Sequence, residues 1–115
     1  MRNDFRLILA VAIGFLIAIP ASAALTDDPV GKITQLHTYS DFGNGDIVIK
    51  VESPPASCPG GFWIRPTDPG AKASYANALA AFHAGAAVRI GSYNDQLWAG
   101  SATAYCRLYY LTPIL

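Results

Sequence analysis

This chain has no excess of charge of either sign, and little charge at all. Eight Lys and Arg balance eight Asp and Glu in 115 residues, and only 14% of the residues are charged. Nucleic-acid binding draws most of its affinity from neutralising phosphates, so with no basic run or patch it is not expected. Histidine is scarce as well. His37 and His83 are the only two, and neither has a Cys, Asp or His at ligand spacing. That argues against a metal centre, against acid–base chemistry and against any cofactor held by such ligands. No serine lies in a G-x-S-x-G elbow, and no nucleophile–base pair is visible, so the chain does not read as an enzyme. Asp41, Asn44 and Asp46 put oxygens around a glycine turn, as calcium would want, but hairpin chemistry explains them without a metal.

The longest apolar run is also short. Leu7 to Ile19 is 13 residues, against the roughly 20 that span a bilayer as helix. It follows Arg2 and Arg6 and is closed by Pro20 and Ala21-Ser22-Ala23. This is the layout of a secretory signal peptide cut after Ala23, so residues 1–23 are expected to be removed. The product is placed in the periplasm or outside the cell, with no membrane span after cleavage. The remaining 92 residues hold six basic and seven acidic side chains, enough for one domain.

Both cysteines, Cys58 and Cys106, fall in that part. An even count in an exported chain predicts one disulfide. Closing such a loop would restrict the unfolded chain by roughly 4 kcal/mol. Free thiols or a two-cysteine metal site are the alternatives.

Residues 24–31 (ALTDDPVG) read as a flexible leader, because Pro29 and Gly31 interrupt any period, and 32–115 as the single domain. Ile33 to Phe42 reads as a first strand and Gly43-Asn44-Gly45 as a turn. Asp46 to Glu52 alternates as a half-buried second strand, with Ile47, Ile49 and Val51 on one face. Pro54, Pro55 and Pro59 break the chain before a short strand, Phe62 to Ile64. Asp68 is placed to cap a helix with Pro69 in its first turn. The body, Lys72 to Ala84, sets Tyr75, Leu79 and Phe82 on the buried face with Ala78 beside them, Asn77 outward, and Gly85 as terminator. Val88 to Tyr93 forms a fourth strand, Asn94-Asp95-Gln96 a turn, and Thr103 to Leu111 a fifth strand. Three strands, a helix and two strands fit a mainly β, five-stranded OB-fold barrel with one helix between strands 3 and 4. There the third and fifth strands lie close enough to bridge Cys58 and Cys106. A generic α+β sheet with one packed helix fits the same order.

The segments ITQLHT (33–38), Phe82-His83-Ala84-Gly85, AVRI (87–90) and Leu97-Trp98 resemble, in order, the B subunit of subtilase cytotoxin. They also resemble its typhoid-toxin relative and the wider pertussis-toxin-like B-subunit group. The resemblance runs from about Gly31 to Trp98. It implies a secreted, non-catalytic OB-fold subunit that assembles into a ring homo-oligomer and binds sialylated glycans for an enzymatic partner. The family holds the sialic-acid carboxylate with a serine just ahead of the first strand. That place falls at Pro29, which has no donor, beside the carboxylates of Asp27 and Asp28. The family's extra cysteines are missing too.

Among the large rings Trp63, Tyr93, Trp98, Tyr105 and Tyr109, core packing accounts for most. Tyr93 and Trp98 are the expected exposed pair, and with Asn94 and Gln96 they form the candidate ligand-binding set. Flat rings beside amides suit a host or envelope glycan held by stacking and neutral hydrogen bonds. They equally suit a protein partner. A stand-alone exported domain that lost the lectin site is the second class of function.

Overall fold

The computed structural model describes residues 24–114. The expected signal peptide, 1–23, lies outside them. Among the described residues no helix is long and apolar enough to cross a membrane.

The chain is mainly β, with one helix and a five-stranded sheet. Its elements are β1 (Leu25–Thr38), β2 (Ile47–Val51), β3 (Gly61–Ile64), α1 (Ala71–Ala84), β4 (Ala87–Leu97) and β5 (Tyr105–Pro113). The pairings run β1-β2-β3-β5-β4 and close as β4 returns to β1. All are antiparallel except β3 with β5.

The expected leader is not a leader. Residues 25–32 are the first half of β1 and pair with β4, while 33–38 pair with β2. Pro29 and Gly31 mark a bulge between the halves, where the register on β4 shifts. A bulge is one of the few places where a strand accepts proline. Gly31 takes φ 77° and leaves room for the Glu52 side chain, whose Oε1 accepts the Lys32 N–H at 2.9 Å. Thus a strand-breaking pair of residues lets one long strand serve two neighbours. At its other end β1 stops at Thr38 rather than Phe42. The turn that follows is closed by Tyr39 N–H to the Asp46 carbonyl at 3.0 Å.

The expected inward row Ile47, Ile49 and Val51 faces the main core, with Val30, Ile33, Phe62, Ile64, Val88, Ile90, Leu108 and Leu111. The Cys58–Cys106 disulfide lies within it, both residues fully buried, with Cα atoms 5.5 Å apart. Phe62, the neighbour of Cys106 in the β3–β5 pairing, is fully buried too.

The helix packs on β1 and β5 through its alanines. Ala71, Ala78 and Ala81 are its buried residues, flanked by half-buried Tyr75 and Phe82. Leu79 is only half-buried and stands apart from this core, which corrects its expected place at the centre of the buried face. Small side chains let the helix axis approach the sheet, so the larger residues end up on the flanks. Asn77 is exposed, but its Nδ2 donates to the Leu111 carbonyl at 2.9 Å, so it is not idle. The N-cap is Gly70, without a side-chain cap. Asp68 gives only its backbone carbonyl to Ala71, because arginines take its carboxylate. Gly85 ends the helix as expected, in the left-handed conformation at φ 64°.

Candidate functional site

A half-open cleft of about 280 Å³ lies between the start of α1 and the outward face of β4 and β5. That is slightly under the usual small-molecule pocket of about 300–1,000 Å³. Alternation along β5 turns Cys106 and Leu108 inward and Tyr105, Arg107 and Tyr109 outward. Tyr93 is the outward residue of β4 opposite Arg107.

These side chains meet in a definite order. The Arg107 guanidinium lies over the Tyr93 ring, 4.4 Å from its centre, a cation–π geometry. Its Nε donates to Gln96 Oε1 at 2.7 Å and its Nη1 to Asp68 Oδ2 at 2.6 Å. The other oxygen of Asp68 accepts both Nε and Nη2 of Arg65 at 2.9 Å. Tyr109 stands edge-on to Tyr93 with ring centres 5.4 Å apart and is 56% exposed. Ser74 and Pro69 line the helix side.

Of the four candidate binding residues, Tyr93 lines the cleft and Gln96 positions its arginine. Asn94 and Gln96 do not sit in a turn: they belong to β4, where the pairing with β5 bulges between Tyr93 and Leu97. Asn94 is tied by its N–H to the Ala24 carbonyl at 2.7 Å. Trp98 is elsewhere and is not exposed. It is 7% accessible and packs with Val48 and Tyr105 on the outer side of β2, with Tyr39 and Trp63 against them. Its indole N–H donates to Asp46 Oδ2 at 3.0 Å. The side chains of Trp98 and Tyr105 cover the outward Val48, which is as buried as the inward row.

No protein-family model matches the chain, and no curated protein matches it.

The cleft residues that the sequence reading missed are Arg65, Asp68, Arg107 and Tyr109 as a liganding set. Arg107 and Tyr109 are two apart on a strand, a same-face spacing that was legible. Their meeting with residues 65–68 depends on the parallel β3–β5 pairing, which no local pattern announces.

The histidines stay apart from the cleft. His37 stacks on Tyr39, ring centres 4.7 Å apart and nearly parallel, and His83 is exposed at the end of α1. Among the described residues no group of three His, Cys, Asp or Glu is arranged to hold a metal. Asp46, one of the candidate calcium oxygens, instead accepts from Trp98 and from the Asn44 backbone at 3.4 Å. Near Pro29, Asp27 accepts from the Tyr110 hydroxyl and from Arg89 Nη1 at 3.1 Å. The Tyr110 hydrogen bond, then Arg89, hold the Asp27 carboxyl below its ordinary range, and the same contact with Asp27 raises the Tyr110 phenol.

Proposed function

We propose that this protein is an exported, non-catalytic recognition module on an OB-fold barrel, of the kind found in bacterial toxin B subunits, and that it binds saccharide in the cleft beside Tyr93. One observation carries the reading. Two tyrosine rings, Tyr93 and the exposed Tyr109, meet at the edge of a concavity that also presents hydrogen-bonding side chains. Flat rings meet the apolar face of a sugar, and polar neighbours meet its hydroxyls. Strand order and the position of the helix support the barrel class, since the OB-fold is a five-stranded barrel. The Ala21-Ser22-Ala23 series supports a periplasmic or secreted location.

A printed array of glycans tests the reading. The purified protein should bind at least one class of glycan, and Tyr109→Ala should abolish the signal without changing the fold. An array without signal overturns it.

A second reading has its own observation. Leu25, Leu97 and Tyr109 are 53%, 50% and 56% exposed, and a protein interface would cover such aromatic and apolar side chains. Native mass spectrometry separates the forms: a ring homo-oligomer fits the toxin-type subunit, and a monomer with no glycan signal fits a stand-alone protein-binding domain.

A further inference from the structure

The cleft beside Tyr93 is more positive than its sequence neighbourhood suggests. Asn94 and Gln96 pointed to neutral hydrogen bonding, but the tertiary fold brings two arginines there. Arg107 is 13% exposed in its side chain and Arg65 45%. Both guanidinium groups face one carboxylate, Asp68, whose Oδ1 is taken by Arg65 and Oδ2 by Arg107. Two cations to one anion leave an excess of one positive charge at the cleft wall. The Arg107 guanidinium also has more N–H donors than its contacts with Gln96 and Asp68 use. Its plane is fixed by the Tyr93 ring beneath it and by Gln96 at its Nε. A fixed, partly desolvated guanidinium is the usual recognition element for a carboxylate.

We propose that the cleft takes a saccharide bearing a carboxylate, a sugar of the uronic-acid type. The carboxylate meets Arg107 and Arg65, and the pyranose face lies on Tyr109. This rests on the saccharide-recognition reading above and adds the charge of the ligand. The place is distinct from the Pro29 position, which pairs with Arg89, four residues before Tyr93 on β4.

Isothermal titration of the purified protein with methyl glucuronide and with methyl glucoside, at low ionic strength, tests it. The uronide should bind about tenfold more tightly, as charge-assisted hydrogen bonds imply, and added salt should narrow the gap. Arg107→Gln should remove the preference. Because Arg107 also braces Tyr93, the exposed Arg65→Gln serves as the second variant and should weaken uronide binding more than glucoside binding, which narrows the preference. Equal affinity for the two sugars, or a preference that survives in both variants, overturns the proposal while the saccharide reading stands. Binding of neither sugar, with an array also silent, overturns both.

Discussion

The indole N–H of Trp98 donates to the buried carboxylate of Asp46 at 3.0 Å, joining residues 52 positions apart. Asp46 closes the β1–β2 hairpin, and Trp98 follows β4 directly, its N–H donating to the Tyr105 carbonyl of β5. One hydrogen bond therefore ties the hairpin to the outer cluster of Val48 and Tyr105. Trp98→Ala should cost about 3–5 kcal/mol. Trp98→Phe should keep part of the packing but still cost about 1–3 kcal/mol, since it removes the donor to Asp46 Oδ2. Tyr109→Ala, on the exposed face, should stay within about 0.5 kcal/mol. Urea unfolding of the three variants checks the order.

The Cys58–Cys106 bridge lies in the core and spans 48 residues. Cys106→Ala should destabilise by about 2–5 kcal/mol. Non-reducing peptide mapping should recover the linked pair, and two titratable thiols per chain would contradict it.

On α1 the close contact is made by alanine. Ala78→Leu should overpack the helix against the sheet and cost about 1–3 kcal/mol. Leu79→Ala, at a half-buried position outside the core, should cost less than that. Asn77→Ala should cost about 1 kcal/mol through its lost bond to the Leu111 carbonyl. Thermal melts of these variants would locate the packed face.

Asp27 links stability to pH. Its carboxyl is held below its ordinary range by the Tyr110 hydroxyl first and Arg89 second. A lowered folded-state value means that the stabilisation is present above the unfolded value, about 3.9, and is lost as pH falls through the folded one. The wild type should therefore exceed Asp27→Asn in melting temperature at pH 6, and the gap should close toward pH 2. A pH-independent gap would show that the ionised carboxylate is not the stabilising form.

Export is checked by intact mass. Protein recovered from the periplasm or medium should begin at Ala24, and a species there retaining Met1 would contradict cleavage.

Periodicity alone located the elements whose signal is local. The alternation Ile47, Ile49 and Val51 named the inner face of β2, and Gly85 named the end of the helix. The even cysteine count, with the strand order, pointed to the bridge. Each depends on residues a few positions apart or on a simple count, so each was legible without the fold. Pro29 and Gly31 misled for a physical reason. The same two residues break a strand or shape a bulge, and only the presence of β4 and β2 on either side selects the bulge. Leu79 misled because helical spacing marks a face but not how near the sheet lies, and the alanines decide that.

The cleft belongs to the tertiary structure. Tyr93 stood out in the sequence as an outward ring, but nothing local brings Arg65, Asp68 and Arg107 to it. That meeting requires β3 and β5 to pair in parallel and α1 to begin beside them. Trp98 shows the converse. By sequence it is an aromatic after an expected turn and suited to the surface. The fold buries it, because Asp46 offers its indole N–H a carboxylate and Val48 offers its ring an apolar floor, and both partners come from the other half of the chain.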